Sequence, residues 1–227
     1  MTREPANQSP FRLIEEVLRP GNPDRWIHPE WEIYFPWLAQ GTTGRTVSTE
    51  RTKPGSGHQE AAPTSDFALF RDEESAGEPV HWASLAQSLE FPSIVGSRQV
   101  HGETVLFHNE VGSDGPDSGF HRATIAPEAD GHLSSVHGLL MGVTVAVCVP
   151  VFLADPTRGA LALLHAGWRG VVAGVLAAGV RGLGGRFGSR PRDIFVHMGP
   201  AICGSCYEVG PEVHEALGLP VPGEPTA

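Results

Sequence analysis

The most constraining feature of the sequence is a pair of apolar segments separated by a turn signal. Residues 138–154 (GLLMGVTVAVCVPVFLA) and 159–166 (GALALLHA) are almost entirely apolar, and the first is rich in valine. Between them, DPTR at 155–158 has Asp and Pro at the first two positions of a type I turn. This pattern predicts two buried antiparallel strands joined as a hairpin, and therefore a sheet at the centre of the fold.

The expected hairpin brings two reactive side chains together. If Asp155 and Arg158 face each other across the turn, paired residue numbers add up to 313, and Cys148 lies opposite His165 on the same face. Their Cβ atoms are then about 4.5–5.5 Å apart, which suits either a shared metal ion or a thiol–imidazole pair. A one-residue bulge at Gly159 changes the sum to 314 and can place the two on opposite faces.

The residues after His165 extend this candidate site. Trp168 and Arg169 stand at the start of a predicted helix, whose free N–H groups and positive dipole end favour an anion. The Arg169 guanidinium adds a permanent charge suited to phosphate or carboxylate, whereas Trp168 is interpreted as a packing anchor. The apolar stripe of this helix is expected at Val172, Leu176 and Val180.

A catalytic zinc site requires a third protein ligand besides Cys148 and His165. His101 lies in a QVHG turn at the end of a predicted strand, where the backbone can aim a side chain into a pocket. The residue pattern alone does not rank it far above His137. The other candidates are His108, His121, His132 and His197.

The remaining pattern indicates one domain, 1–227, of the α/β (α+β) class, with mixed β-sheets and flanking helices. Within it, 1–29 is interpreted as an N-terminal extension and 41–65 as a mobile surface loop, because that stretch has few large apolar groups. The predicted outer elements are helices at 11–18 and 80–90 and strands at 28–41, 93–107 and 193–202.

Composition excludes several classes of function. The chain has a formal net charge of -10, which disfavours binding to nucleic acid or to an anionic membrane. It has no apolar run of membrane-spanning length and no apolar signal core near the N-terminus. Its three cysteines are too few for a disulfide scaffold. We therefore expect a soluble, cytoplasmic protein without nucleic-acid or membrane partners.

Two further motifs carry weaker signals. CGSC at 203–206 is a lone CxxC without a second pair, and we interpret it as structural, near the pocket wall. GLGGRFG at 182–188 lacks the spacing of a dinucleotide loop and follows a helix, so it is interpreted as a helix-ending turn.

Four ordered motifs resemble those of the laccase-domain family, whose members are also named multicopper polyphenol oxidases or purine nucleoside phosphorylases. They are RQVHG (98–102), CVPVFLAD (148–155), LLHAGWRG (163–170) and GPAICGSCYEVG (199–210), and the resemblance spans about residues 30–213. It implies a laccase-domain fold and a zinc site made of His101, Cys148 and His165, which copper can also occupy in vitro.

The resemblance further implies purine nucleoside chemistry. The implied reactions are phosphorolysis of adenosine, inosine, guanosine and methylthioadenosine, with hydrolytic deamination of adenosine as a second activity. Purine nucleosides and phosphate are thus the expected partners, and Arg98, Gln99 and Arg169 the expected substrate-binding residues.

Two departures from the family pattern bear on these expectations. Val147 replaces an Asp that commonly precedes the metal cysteine. Among the expected activities, we expect this replacement to affect deamination most. The chain also stops at Ala227, where family members continue, so we expect a fold truncated at the C-terminus.

Three alternative functions compete with this prediction. A copper polyphenol oxidase would need many histidines, often as His-x-His pairs, and none of the 11 histidines forms such a pair. A metal-free thiol hydrolase would use Cys148 as nucleophile and His165 as base; a third ligand at the same point discriminates against it. An inactive family member is the third alternative, because fold does not guarantee activity.

Overall fold

A computed structural model describes residues 12–21, 24–43, 80–111 and 122–220. The strands within these ranges are β1 (Val17–Arg19), β2 (Arg25–Ile27), β3 (Thr42–Thr43), β4 (Ser93–Ser97), β5 (Val105–His108), β6 (Arg122–Ala126), β7 (Gly131–Ser134), β8 (Leu139–Met141), β9 (Val149–Asp155), β10 (Ala160–Ala166) and β11 (Phe195–Met198). The helices are α1 (Pro29–Tyr34), α2 (Val80–Ser88), α3 (Trp168–Ala173), α4 (Val175–Phe187), α5 (Pro211–Ala216) and a short 3-10 helix (Pro191–Asp193).

Three sheets organise these elements and confirm the expected mixed α/β fold. The central sheet has the order β11-β9-β10-β7-β5, antiparallel except for the parallel pair β7 and β5. A second sheet, β6-β4-β8, is entirely parallel. The third, β1-β2-β3, is antiparallel and formed near the N-terminus. The main core lies between the central sheet and α4.

The predicted hairpin is present as β9 and β10, but its register differs from the expectation. Asp155 pairs with Ala160 and His165 with Pro150, so paired numbers add up to 315 instead of 313. A β-turn does form at DPTR, since Arg158 N–H donates to the Asp155 carbonyl. Gly159 follows it with a φ of +59°, and Arg158 and Gly159 together lengthen the loop by two residues on the β10 side of the predicted pairing. Because 313 and 315 have the same parity, Cys148 and His165 keep the same facing although they are not directly opposite.

The predicted helix after Arg169 is divided into two helices, and its buried face differs from the predicted stripe of Val172, Leu176 and Val180. Gly174 has a φ of +101° and separates α3 from α4. The buried positions of α4 are Val175, Gly179 and Leu183, whereas Leu176 is exposed. A Cβ on Gly179 would lie 2.8 Å from a methyl carbon of Leu164, so the helix contacts β10 through a glycine. A pattern of large apolar residues does not predict this contact, because α4 approaches β10 at a glycine, which has no side chain.

The N-terminal predictions were wrong in element type. The predicted helix at 11–18 gives way to β1, and the predicted strand at 28–41 begins with α1. His28 caps that helix by accepting the Trp31 N–H through Nδ1, and Pro29 occupies the first turn, where its missing N–H costs nothing. Trp31 and Phe35 then pack against Ala154 of the central sheet.

The other predicted elements agree better with the structure. The helix at 80–90 appears as α2, and the segment 93–107 contains β4 and β5 on either side of the turn at Gly102. Of the predicted loop 41–65, residues 44–65 lie outside the described residues, as do 1–11 of the predicted extension. None of the helices in the described part of the chain is long and apolar enough to cross a membrane.

Candidate metal centre

Three side chains from separate parts of the fold converge on one point. His101 lies in the β4–β5 connection, Cys148 directly precedes β9, and His165 lies near the end of β10. Their ligand atoms all lie within 4.8 Å of one another, and the two imidazole rings meet edge to face with centroids 4.8 Å apart. Two imidazole nitrogens and one thiolate suit a borderline-soft ion such as zinc. This group can therefore hold a metal ion.

The close approach of the three ligands depends on Gly167. This residue follows β10 by one position, where the hairpin register would place it beside Cys148. A Cβ there would lie 2.7 Å from Cδ2 of His101 and 3.1 Å from Sγ of Cys148. Its φ of −77° is ordinary, so space and not backbone conformation requires glycine. The small residues of the HAGWRG motif thus leave room for the ligands.

Asp130, immediately before β7, fixes two of the ligands from behind. Its side chain is fully buried, and Oδ1 lies 2.8 Å from Nδ1 of His165. The same carboxylate accepts the backbone N–H groups of Val100, His101 and Gly102 at 3.2, 2.9 and 2.7 Å. A carboxylate so placed holds the proton of His165 on Nδ1 and leaves Nε2 free to ligate.

The same contacts stabilise an unusual backbone conformation at His101. Its φ is +60°, in the left-handed region that residues other than glycine seldom adopt. Three successive N–H groups directed at one carboxylate offset the cost of that conformation. Next to it, a Cβ on Gly170 would lie 2.8 Å from the Gly102 carbonyl oxygen, so α3 also packs tightly on this turn. The turn that presents His101 is consequently held from two sides.

Burial sets the protonation of the other two ligands. It lowers the pKa of His165, although the hydrogen bond to Asp130 opposes the change, so the imidazole is neutral near pH 7. Burial and the nearby Asp130 charge raise the pKa of the Cys148 thiol. A raised thiol pKa disfavours a free thiolate nucleophile, and His101 supplies the third ligand that a thiol hydrolase does not need. The geometry thus favours metal binding over the thiol hydrolase.

A cavity of about 840 Å³ adjoins the ligands. His101, Cys148 and His165 contribute to its wall, and aromatic rings line its apolar parts. The volume falls within the range of about 300–1,000 Å³ usual for small-ligand sites. The aromatic side chains are Trp31, Trp37, Trp82, Phe91 and Phe152. The cavity can therefore hold a planar, partly apolar molecule next to His101, Cys148 and His165.

The expected substrate-binding residues differ in their surroundings. The Arg98 side chain is exposed and lies 3.3 Å from a carboxylate oxygen of Glu128. The exposed Arg169 stacks its guanidinium 4.3 Å from the centroid of the Trp168 ring. Gln99 lines the cavity, but its amide oxygen accepts the Thr144 N–H at 2.7 Å and its amide nitrogen donates to the Thr144 carbonyl at 2.8 Å. Gln99 thereby holds the segment that leads to Cys148.

The other candidate histidines that the structure describes lie apart from this group. His108 Nε2 and His132 Nδ1 are 2.9 Å apart, and His132 also contacts the buried Ser97 hydroxyl at 3.2 Å. His197 contacts Glu16 at 2.7 Å and thereby links the N-terminal segment to the central sheet. His137 lines the cavity outside the three-ligand group, and His121 falls in the part that is not described.

Comparisons with known proteins identify the family of this chain. Residues 60–222 match the family described as Multi-copper polyphenol oxidoreductase laccase. The chain belongs to this family. Over 167 residues it is 35% identical to Purine nucleoside phosphorylase ORF3 of Streptomyces griseus, covering 72% of this chain and 64% of that protein. Over 88 residues it is 42% identical to Adenosine deaminase RL5 of an unknown prokaryotic organism, covering 39% of this chain and 33% of that protein.

A solved structure shows the same fold. The Bacillus licheniformis hypothetical protein YfiH matches 91% of this chain and 73% of its own with a TM-score of 0.64, at 24% identity. Like the Streptomyces griseus protein, the other curated relatives compared are longer than the matched region: two further purine nucleoside phosphorylases are covered over 49% and 51% of their lengths. The chain thus spans between about half and two thirds of the length of these three relatives.

Proposed function

We propose that the protein is a zinc-dependent purine nucleoside phosphorylase that acts on adenosine, inosine, guanosine and methylthioadenosine. The observation that carries the proposal is the convergence of His101, Cys148 and His165 on the wall of a cavity of about 840 Å³. The named phosphorylase relative, 35% identical, supplies the reaction class. Adenosine deamination is the second candidate, supported by the partial match to a protein named adenosine deaminase.

His101, Cys148 and His165 would supply the three protein ligands typical of a catalytic zinc site. An ion held there would supply a Lewis acid that polarises a group in the open position. The protein's part is to present the ligands in the correct state. Asp130 directs Nε2 of His165 outward, and the Cys148 thiol releases its proton when it ligates.

The cavity and two exposed arginines outside its lining supply the rest of the proposed chemistry. Its aromatic and aliphatic wall accommodates a purine ring and keeps water away from it. In phosphorolysis a phosphate oxygen forms a bond to the anomeric carbon of the ribose while the bond to the purine nitrogen breaks. We propose that Arg169 and Arg98 attract the phosphate and that Gln99 contributes by holding Thr144 at the cavity wall.

The direct test is incubation of the purified protein with adenosine, with and without phosphate, and chromatography of the products. Adenine and ribose 1-phosphate that appear only with phosphate support phosphorolysis, whereas inosine identifies deamination. Metal analysis of protein produced without added copper accompanies the assay. Absence of turnover by folded, zinc-loaded protein would favour an inactive family member, and several copper ions per chain would favour the polyphenol oxidase.

A further inference from the structure

A second sulfur-containing site lies outside the metal centre, in the loop 203–206. Cys203 and Cys206 are both exposed, and their Sγ atoms lie 2.8 Å apart. The Cys206 N–H donates to the Cys203 carbonyl at 2.9 Å, which closes a tight turn and fixes the two side chains on one side of it. The Ser205 hydroxyl lies 3.2 Å from the Cys203 sulfur. Two thiols are therefore already placed within reach of a shared bond.

The surroundings keep this loop in place and open to solvent. The Ile202 N–H donates to the Val147 carbonyl at 3.3 Å and so ties the start of the loop to the fold. At its tip, a Cβ on Gly204 would meet no atom within 4 Å. Neither cysteine lines the cavity, but Ile202 contacts Val147, which does, so the loop lies next to the pocket wall as predicted. Small molecules in solution can reach both sulfur atoms without opening the protein.

We propose that Cys203 and Cys206 form a redox-active dithiol, which low-molecular-weight disulfides oxidise to an intramolecular disulfide. The Cys203 thiolate attacks one sulfur of the small disulfide, so that its S–S bond breaks and a small thiolate leaves. The Cys206 thiolate then attacks Sγ of Cys203 in the mixed disulfide and displaces the second small thiolate. Two electrons pass from the protein to the small disulfide, and the two cysteine protons end on the released thiols.

Cys203 is the better nucleophile of this pair. Hydrogen bonds from Cys206 and Ser205 lower the pKa of the Cys203 thiol to about 7, so that about half of it is thiolate at neutral pH. The pKa of the Cys148 thiol is raised in its buried position. The thiol pKa is thus shifted in opposite directions at the two sites. Cys203 is suited to thiol–disulfide exchange, and Cys148 to metal ligation.

The test follows thiol state in the intact chain. The protein is equilibrated with mixtures of reduced and oxidised glutathione, alkylated with N-ethylmaleimide and digested with trypsin. No Lys or Arg lies from Asp193 through Cys206, so both thiols occur in the peptide that begins at Asp193, separate from Cys148. We expect both cysteines of this peptide to become resistant to alkylation together. The oxidised peptide should then have the mass of the unalkylated, reduced peptide less two hydrogen atoms. Alkylation of both thiols at every mixture, or glutathione retained on either cysteine, overturns the proposal.

Two single variants test the order of attack. Cys206→Ser should retain one glutathione on Cys203, because the thiol that displaces it is gone. Cys203→Ser should react with oxidised glutathione more slowly at pH 7 than Cys206→Ser does, because hydrogen bonds to Cys203 lower its thiol pKa and make its thiolate available for attack. Equal rates in the two variants would show that Cys203 is not the attacking residue.

Discussion

Replacement of Asp130 by Asn tests the role of this carboxylate in building the metal centre. Oδ1 serves the His101 N–H and His165 Nδ1, and Oδ2 serves the Val100 and Gly102 N–H groups. An Asn side chain has one acceptor oxygen, so whichever way it turns, its NH2 group faces two former donors. At about 1.5–3 kcal/mol per hydrogen bond to a charged group, the loss of two lowers the free energy of unfolding by about 3–6 kcal/mol.

The same substitution should weaken metal binding. If the Asn NH2 group faces His165, the imidazole must accept at Nδ1 and carry its proton on Nε2, the nitrogen needed for the metal. Loss of such a supporting contact typically costs about 10–100-fold in metal affinity. Zinc affinity is measured by competition with a chromophoric chelator, and stability by urea unfolding of the metal-free protein.

Asp155→Asn is the matched control, because Asp155 is also almost fully buried. Its Oδ1 accepts the N–H groups of Thr157 and Arg158 in the hairpin turn, and an Asn oxygen can accept both. We expect this variant to keep the zinc affinity and to lose less than about 1 kcal/mol of stability. Wild-type zinc affinity and an unchanged unfolding midpoint in Asp130→Asn would refute the assigned role of Asp130.

Three further predictions concern the ligands, the space around them and a buried histidine. Cys148→Ala should lose both bound zinc and nucleoside turnover, whereas Cys206→Ser, assayed in reducing buffer, should keep both; zinc at full occupancy in Cys148→Ala would contradict the proposed site. Gly167→Ala should lower zinc affinity because its Cβ would displace the ligands, while Gly185→Ala, which meets no atom within 4 Å, should leave the affinity unchanged, as the same chelator titration would show. Burial lowers the pKa of His132 to about 3, below the value of about 6.5 in an unfolded chain, so the unfolded state binds more protons between these values. The contribution of neutral His132 to the free energy of unfolding is complete above pH 6.5 and is lost as the pH falls towards 3, by up to about 5 kcal/mol. Urea unfolding at pH 7, 5 and 3 should therefore show a smaller loss of stability in His132→Gln than in the wild type. Identical losses in the two proteins would contradict the assignment.

Local patterns predicted the hairpin and the proximity of Cys148 and His165, because that information lies within short stretches of sequence. The apolar run before DPTR defines β9 and β10, and the even difference between 313 and 315 preserved the shared face of Cys148 and His165 despite the wrong register. His101 could be assigned only through the family resemblance, since the residue pattern alone left His137 almost equal. The structure now brings His101 to the other two ligands.

Asp130 was missed because its partners are distant in sequence. It lies 28–35 residues from the groups that it binds, and an Asp before a strand is unremarkable on its own. The wrong strand at 28–41 has a different cause. The cap at His28 and the early Pro29 were available as helix signals, but the run of aromatic residues favoured a strand. On the buried face of α4, Gly179 stands between Val175 and Leu183, and a glycine gives no apolar signal that would mark this face as the one in contact with β10.

The metal ligands and much of the cavity wall come from different layers of the fold. Cys148 and His165 belong to the hairpin of the central sheet, whereas Trp82 of α2 and Leu139–Met141 of the parallel sheet form part of the opposite lining. Substitutions in the parallel sheet would therefore change the shape of the cavity while leaving the group His101, Cys148 and His165 in place. The part of the wall that contacts an occupant and the group that can hold a metal are thus mutable independently of each other.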